Sequence, residues 1–452
     1  MMFELLPLLL FLAICIFLMA GFPVAFTLAG VSLLFAGIGI ATGTFDEAFL
    51  HAVPNRIYGT IDNDTLIAVP LFVLMGILLE KSRLAESLLK SMAELFGSLR
   101  SGLGLSVVVV GALLAASTGI VGATVVTMGL MSLPSMLQRG YPTSIATGTI
   151  CATGTLGQII PPSIALVLLG DILSTAYQQS QLAQGIFTPK TVSIGDLFVG
   201  AIGPGVLLVV LYAAYILLRA GSLPVPEASG RKRISLGLFT DLVPPVVLIA
   251  LVLGSILSGI ATPTEAAGVG ALGAAILALL KRQLSWQMLR ESAESTTRIT
   301  CMVFMILVGA AVFSLVFRGF GGEEMVEEFL SNLPGGLVGA TLLVMLLIFL
   351  LGFILDFIEI TFVVVPIVAP ILMAMGLDPI WLGVMIALNL QTSFLTPPFG
   401  FALFYLRGVA PASVATRDIY RGVVPFIAIQ LFAMLMLVFW PQLATWLPST
   451  LR

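Results

Sequence analysis

Apolar segments about as long as a bilayer is thick recur along the whole chain. A helix needs about 20 mostly apolar residues to cross the hydrocarbon core. Ten segments fit this requirement: Leu5–Ala20, Val24–Ile40, Leu66–Leu79, Ile145–Leu169, Leu197–Leu218, Val243–Ile260, Glu265–Leu280, Ile299–Val316, Trp381–Tyr405 and Val423–Trp440. The sequence is 59% hydrophobic and 10% charged, whereas soluble domains carry about 25% charged residues. The pattern therefore predicts an all-α polytopic membrane protein.

The residues that usually carry enzyme or metal chemistry are scarce. Cys15, Cys151 and Cys301 lie far apart in apolar segments, and His51 is the one histidine. This spacing fits neither a disulfide framework nor a metal site. No phosphate-binding GxxxxGK[ST] motif occurs, which argues against ATP-driven transport by this chain. We therefore expect no enzyme activity and no cofactor, with an intramembrane enzyme or a scaffold protein as the alternative class.

Two further apolar stretches are interrupted at their centres. Gly102–Leu137 is broken by the run Ala116–Gly119, and Gly336–Met375 contains Asp356 and Glu359. Each stretch is too short for two spans with a turn in water. Each suits a re-entrant hairpin, because non-helical backbone at membrane depth must be buried in protein or line a wet cavity.

The basic residues predict the orientation. With the N-terminus outside and both stretches as hairpins, all but four of the 20 Lys and Arg residues fall on the cytoplasmic side. That side then includes Arg83, Arg231, Lys232 and Arg233, while the four outer residues are Arg56, Lys190, Arg318 and Arg452. This asymmetry is what the positive-inside rule requires. Both termini are therefore expected outside.

The two halves of the sequence repeat at an offset of 236 residues. Pro134 matches Pro370, Gly140 matches Gly376, and Pro161-Pro162 matches Pro397-Pro398. Because each half has five spans and one hairpin, the second half is inverted, as in many secondary transporters. The predicted organisation is a first repeat at 1–221 (hairpin 102–137, broken helix 142–170), a cytoplasmic linker at 222–235, and an inverted second repeat at 236–452 (hairpin 336–375, broken helix 379–406).

Four segments interrupt helices at membrane depth: Ser117–Thr124, Thr153–Pro162, Asp356–Thr361 and Gln391–Pro398. A proline pair removes backbone donors and forces a helix to open. Freed carbonyls and nearby hydroxyls are oxygen ligands for Na⁺, and half-helix N-termini attract anions. The pattern indicates sodium–carboxylate cotransport. The alternative is that the prolines only kink packed helices while Ser and Thr bond back to their own helix.

Several acidic residues lie in or beside apolar segments. A carboxylate within a span is a functional candidate by default, which favours a role for Asp356. The alternatives are that Asp356 only caps the second hairpin arm and that Glu359 meets water at the tip. Thr264 and Glu265 are predicted to be structural, as a cap and a first-turn acid.

Two mixed segments lie between the predicted spans, Leu84–Leu99 and Trp286–Thr297. Each is either an amphipathic connector in the membrane interface or an ordinary cytoplasmic helix.

Four motifs together resemble a known family. They are Gly21–Ala25 (GFPVA), Gly259–Ala266 (GIATPTEA), Gly154–Ser163 (GTLGQIIPPS) and Phe394–Gly400 (FLTPPFG). In combination they resemble the large membrane subunit of tripartite ATP-independent periplasmic (TRAP) transporters, from about Phe3 to the C-terminus. The first hairpin tip departs from the serine-richer tip of many members.

The resemblance implies a sodium-driven importer of organic acids or related solutes in the bacterial inner membrane, with periplasmic termini. A periplasmic binding protein would deliver the solute, a separate small four-span subunit would brace the chain, and the hairpins and broken helices would move as an elevator. A stand-alone ion/carboxylate cotransporter is the alternative. The implied cation-site candidates, with sodium as the only metal, are Ser117, Thr118, Gly119, Thr124, Gly154, Thr155, Gly157, Pro161, Asp356, Thr361, Thr392, Ser393, Thr396 and Pro397. The implied solute-site candidates are Thr153, Gln158, Glu359 and Gln391.

Overall fold

The computed structural model describes residues 5–82, 84–96, 99–224 and 236–451, and within these ranges all regular structure is helical. This confirms the prediction of an all-α protein. Arg83, Arg231–Arg233, Arg452 and all of the expected linker beyond Pro224 lie outside the described residues, as does the Thr118 side chain.

In the first half of the chain the helices are α1 (Leu6–Met19), α2 (Val24–Thr42), α3 (Val53–Ile61), α4 (Ala68–Lys81), α5 (Leu84–Leu95), α6 (Gly102–Thr118), α7 (Val121–Gln138), α8 (Thr143–Thr155), α9 (Ile164–Ala183) and α10 (Ile194–Leu218). In the second half they are α11 (Leu236–Leu257), α12 (Pro263–Leu280), α13 (Trp286–Gly319), α14 (Gly322–Ser331), α15 (Gly336–Leu351), α16 (Phe357–Val363), α17 (Val365–Ala374), α18 (Pro379–Leu395), α19 (Phe401–Val409), α20 (Thr416–Phe439) and α21 (Gln442–Leu451). Short 3₁₀ turns precede α3 and follow α8 and α10.

Six helices in the described part of the chain are individually long and apolar enough to cross a membrane, namely α2, α7, α10, α12, α13 and α20. Shorter apolar helices include α1, α6, α15, α18 and the apolar end of α11. Each of the ten predicted spans overlaps a helix, and two of them, at Ile145–Leu169 and Trp381–Tyr405, contain a break. The chain is thus a multi-pass membrane protein.

The two interrupted stretches fold as pairs of helices joined by short turns. In the first, α6 ends at a left-handed Gly119 (φ 62°) and α7 begins two residues later. In the second, α15 is followed by Asp356 and by α16 and α17, which meet at an angle of 56°. At about 1.5 Å per residue, α6 and α7 are each about 26 Å long, somewhat shorter than a hydrocarbon core of about 30 Å.

The two helix pairs open toward opposite ends of the bundle. At the open end of the first pair, Gly104 packs against Ile216, near the C-terminus of α10. At the open end of the second pair, the Ala374 carbonyl accepts a 3.0 Å hydrogen bond from Gln184, in the loop that leads into α10. Helix α10 therefore has one pair opening at each of its ends.

Helix contacts fall into two groups. One contains α1 to α5 and α11 to α13, with α4 against α12 and α13 against α2. The other contains α6 to α10 and α15 to α21, where α8 packs against α20 and α7 against α8. Helices α4, α5, α11 and α13 each contact helices of both groups, mainly through α6, α9, α10 and α16, and α14 contacts α13, α15 and α17.

Two local expectations require correction or refinement. The cap of α12 is Thr262 rather than Thr264: Thr262 and Glu265 form a capping box, while the Thr264 hydroxyl donates to the Asp64 carbonyl. The reason is Pro263, which favours the first helical position, so that the residue before it, Thr262, becomes the cap. The segment Trp286–Thr297 is not a separate connector but the first part of α13, because no Gly or Pro interrupts the helix before Gly309.

Candidate functional site

The first helix break lies between α8 and α9 and is fully buried apart from a partly exposed Ile160. Pro161 is followed by a cis peptide bond to Pro162. Across the gap, the Ser163 hydroxyl donates to the Gly157 carbonyl at 2.8 Å and to the Gln158 carbonyl at 3.2 Å. The break is thus a defined, hydrogen-bonded loop, because prolines without N–H groups leave carbonyls that a side chain must satisfy.

The tip of the first hairpin lies against both sides of this break. A β-carbon on Gly119 would lie 3.0 Å from the Ile164 amide nitrogen at the start of α9. A β-carbon on Gly157 would lie 3.4 Å from the Ala115 carbonyl oxygen, and one on Gly154 would overlap Val125. At Gly119 and Gly154 a side chain would force a neighbour to move, whereas the Gly157 distance is an ordinary van der Waals contact. At Gly119 the left-handed backbone is a second reason for glycine. The structure therefore brings Ser117–Gly119 together with Gly154–Gly157.

The second break, between α18 and α19, is built in the same way and is more open. Pro397 also precedes a cis proline, and Pro398 is exposed. Ser393 takes the position of Gly157 in the 236-residue offset, and its hydroxyl donates to the Phe349 carbonyl at 2.8 Å, near the end of α15. A β-carbon on Gly352 would lie 2.6 Å from the Ser393 oxygen. Here too a hairpin end is in direct contact with a helix break.

Asp356 and Glu359 form a capping box at the start of α16. The Asp356 carboxylate accepts from the Phe357 amide at 2.7 Å, and the Glu359 carboxylate accepts from the Asp356 amide at 2.8 Å. Glu359 is buried, not in water at the tip, whereas Asp356 is exposed. Within the described ranges neither carboxylate makes an ion pair. Capping is thus one role of Asp356, and no described basic side chain forms an ion pair with it.

Most of the candidate hydroxyls bond back to their own helices. A carbonyl three or four residues earlier accepts the hydroxyl proton in each of these residues: Ser117, Thr124, Thr153, Thr155, Thr392 and Thr396. A hydroxyl has one proton and two lone pairs. A hydroxyl that donates its proton in this way keeps lone pairs on its oxygen, and those lone pairs are what a cation binds.

Three of the candidates carry buried polar atoms that have no hydrogen-bond partner: Gln158 Oε1, Thr361 Oγ1, and both amide atoms of Gln391. All three side chains are at most 2% exposed. A buried polar group without a partner costs about 1–3 kcal/mol, so these atoms are suited to bind a ligand. Among the described residues no group of three or more His, Cys, Asp or Glu side chains could hold a metal ion.

The two breaks lie close together. The 3₁₀ turn at Leu156–Gln158 and α8 both pack against α18, the helix that leads into the second break. Contacts also cross between the halves: α7 packs against α19, and α16 and α17 pack against α9. A β-carbon on Gly122 would lie 2.9 Å from the Tyr405 ring. The first hairpin therefore touches the helix that follows the second break, and the second hairpin touches the helix that follows the first.

A buried polar pair beside the breaks was not among the sequence candidates. The Gln430 amide donates to the Tyr212 hydroxyl at 2.9 Å and lies 3.5 Å from the Thr155 hydroxyl, and all three are 0% exposed. Helices α10 and α20 supply Tyr212 and Gln430. An amide inside the apolar run Val423–Trp440 was the available signal, since polar residues within spans are costly unless they have a partner or a function.

A multi-pass helical membrane protein with two interrupted helices, each in contact with a hairpin tip, belongs to the class of membrane transport permeases. The family model for the DctM component of tripartite ATP-independent periplasmic transporters matches residues 11–443. The chain belongs to this family, as its motifs predicted.

Three relatives align along almost their whole length. The C4-dicarboxylate TRAP transporter large permease protein DctM of Vibrio cholerae is 29% identical over 98% of this chain and 97% of its own. The sialic acid TRAP transporter large permease protein SiaM of the same species is 30% identical, with 96% of each chain covered. The ectoine/5-hydroxyectoine TRAP transporter large permease protein UehC of Ruegeria pomeroyi is 29% identical over 97% of each chain. These relatives are permeases and not enzymes, in agreement with the sequence prediction.

The fold is also similar to that of a solved transporter. The crystal structure of the YdaH transporter of Alcanivorax borkumensis superposes with a TM-score of 0.58 at 15% identity, covering 96% of this chain and 98% of that one. At this level of identity the similarity concerns the fold alone.

Proposed function

We propose that this chain is the translocating subunit of a sodium-coupled importer of organic acids or related small solutes. It works by an elevator mechanism with two inverted repeats, 1–221 and 236–452. The observation that carries the proposal is the contact of each hairpin tip with a helix break, in a region where buried polar atoms lack partners.

The inverted repeat is supported by matched contacts. At the 236-residue offset α6 corresponds to α15, α7 to α16 and α17, α8 to α18, and α9 to α19. Helix α6 packs on α8 as α15 packs on α18, and α7 packs on α19 as α16 and α17 pack on α9. The opening of the two hairpins at opposite ends of α10 supports the inversion.

The proposal includes two sodium sites. The first lies between Ser117–Thr124 and Thr153–Pro162, and the second between Asp356–Thr361 and Thr392–Pro398. Hydroxyl oxygens whose protons are already donated, together with carbonyls freed by the prolines, are hard oxygen ligands for Na⁺. The charge of Asp356, with which no described basic side chain forms an ion pair, favours a cation at the second site.

The solute lies between the two sodium sites, in reach of Thr153, Gln158, Glu359 and Gln391. The unpartnered Gln391 Nε2 is a donor for a carboxylate or hydroxyl oxygen, whereas the unpartnered Oε1 atoms of Gln158 and Gln391 are acceptors for a solute hydroxyl or amine. Relatives named for C4-dicarboxylates, sialic acid and ectoine differ widely in solute. The choice of solute therefore rests largely with a periplasmic binding protein, which docks on the outer face in the bacterial inner membrane.

In the elevator movement, the group of helices that contains both breaks (α6 to α10 and α15 to α21) slides against the other group (α1 to α5 and α11 to α13). A separate small four-span subunit braces this second group. Polar contacts of the described residues join the groups: the Asn63 amide donates to the Asp171 carboxylate at 3.2 Å, and the Thr127 hydroxyl donates to the Glu80 carboxylate at 2.7 Å. Both contacts break when the groups slide. Both termini face the periplasm in this arrangement.

The test is uptake in proteoliposomes that contain this chain with its small subunit and its binding protein. We expect concentrative uptake of an organic acid that requires both an inward Na⁺ gradient and the binding protein. Uptake without the binding protein would favour a stand-alone cotransporter. Dissipation of the Na⁺ gradient without loss of accumulation would overturn sodium coupling.

The elevator step has its own test. In a chain without its native cysteines, Asn63→Cys and Asp171→Cys are joined by a short bis-methanethiosulfonate reagent, which forms a disulfide with each thiol and is cleaved by a reductant. We expect cross-linking to arrest uptake and cleavage to restore it, with each single-cysteine chain as control. Unchanged uptake in the cross-linked protein would exclude sliding at this interface.

A further inference from the structure

The loop between α9 and α10, residues 184–193, presents apolar side chains to solvent. Phe187 is 86% exposed, and its neighbour Ile186 and nearby Leu182 are also exposed. Most exposed apolar residues of this chain lie on membrane-spanning helices, where lipid covers them. Phe187 instead lies in irregular backbone, which cannot face hydrocarbon because its N–H and C=O groups would be unsatisfied.

This loop is held in place by a buried glutamine. The Gln181 amide donates to the Lys190 carbonyl and accepts from the Lys190 amide, both at 2.9 Å. Gln181 is 6% exposed, and its own carbonyl accepts from the Ile186 amide at 2.9 Å. Gly185 provides the left-handed turn (φ 79°) that this return requires. Phe187 is thus displayed on a pre-formed loop, which lowers the entropy cost of binding.

The loop also joins the second hairpin. The Gln184 amide donates to the Ala374 carbonyl at 3.0 Å, at the end of α17. A cavity of about 670 Å³ lies between the loop and the corner at Met375–Pro379. Gln184, Thr188, Lys190 and Asp378 line it, and all four are exposed. Such a polar, charged surround belongs to the aqueous phase rather than to lipid.

An exposed aromatic residue on a rigid loop with a polar rim has the composition of a protein interface anchor. The proposed topology puts this loop on the outer face, beside the hairpin that opens there. We propose that the loop, with Phe187 as its apolar anchor and Lys190 and Asp378 at its rim, is a docking surface for the soluble solute-binding protein. This inference rests on the proposed function, and it adds that the partner holds α9 and the second hairpin together.

The test titrates the purified binding protein against the reconstituted complex and compares Phe187→Ser with Trp286→Ser. Trp286 is 81% exposed at the opposite face of the membrane in the proposed topology. Loss of an aromatic anchor is expected to raise the half-saturating concentration of binding protein about 10- to 30-fold. Maximal uptake at saturation and the melting temperature should stay near those of the unchanged chain. A half-saturating concentration within twofold of that of Trp286→Ser would overturn the proposal.

A second measurement separates this inference from the proposed function. A photo-reactive phenylalanine analogue at position 187 is irradiated in nanodiscs with the same binding protein, without any solute or ion gradient. Cross-linking to the binding protein supports the docking surface even if sodium coupling fails. Cross-linking to phospholipid instead would identify Phe187 as a membrane-interface anchor and exclude the docking role. If uptake depends on the binding protein but neither readout involves Phe187, the proposed function stands and the docking surface lies elsewhere.

Discussion

Replacing Gly119 by alanine tests whether the first hairpin tip and the first helix break act as one site. Gly119 has a φ of 62° and ends α6. An alanine here takes on a left-handed backbone, and its β-carbon lies 3.0 Å from the Ile164 amide nitrogen. The tip must then move away from the start of α9, because backbone atoms cannot rotate aside.

The size of the effect follows from these two terms. A left-handed conformation costs a non-glycine residue about 1–2 kcal/mol. The close contact also displaces the hairpin tip by a few tenths of an ångström, and the total cost of the substitution is on the order of 1–3 kcal/mol. If the strain falls on the ion-bound tip, about 2 kcal/mol corresponds to a sodium affinity about 30-fold weaker.

The assay measures the sodium concentration that gives half-maximal uptake in proteoliposomes. The matched control is Gly30→Ala in α2, since a β-carbon there has no neighbour within 4 Å. We expect the control to match the unchanged chain and Gly119→Ala to require much more sodium. A Gly119→Ala chain of normal abundance with a sodium requirement within twofold of the control would refute the reasoning.

Three further substitutions give separate tests. Gly148→Ala places a β-carbon 2.1 Å from a carbonyl oxygen of α20. Overpacking of about 1–3 kcal/mol should lower the melting temperature by several degrees in scanning fluorimetry. An unchanged melting temperature would contradict the close packing. At saturating concentrations of the binding protein, Thr396→Ala should raise the sodium requirement of uptake and Thr188→Ala should not, so equal values would count against the second cation site. Asp356→Asn keeps a capping oxygen but removes the charge. We expect uptake to fall at least about tenfold with the melting temperature preserved, whereas a parallel loss of both would assign Asp356 a structural role only.

Hydropathy predicted the helical architecture well because the bilayer imposes one length on every span. The helix breaks were also visible in the sequence, because a proline pair opens a helix and a carboxylate is rarely found in an apolar run without a functional reason. The cap of α12 was predicted at Thr264, two residues after its position at Thr262. Both threonines are suitable caps, and the preference of Pro263 for the first helical position selects the earlier one. The separate connector at Trp286–Thr297 was suggested by its polar residues, but a helix continues wherever nothing breaks it.

The sequence predicted which segments form the candidate sites, but it did not predict which atoms of those segments bind a ligand. The sequence placed Ser117, Thr155 and Ser393 near helix breaks, but the direction of each hydroxyl proton depends on local backbone geometry. Partners distant in sequence had no local signal. The contact of Tyr405 with Gly122 and that of Gln430 with Tyr212 arise only when the two halves come together. The cation and solute assignments themselves stay predictions.

The reciprocal packing of the halves has a consequence for biogenesis. As the chain leaves the ribosome, α9 enters the membrane long before α16 and α17, the helices that cover one of its faces. Likewise α7 enters the membrane before α19, the helix that packs against it. Neither half completes its own interior, so the first half must persist in the membrane as an unfinished intermediate until the last helices arrive.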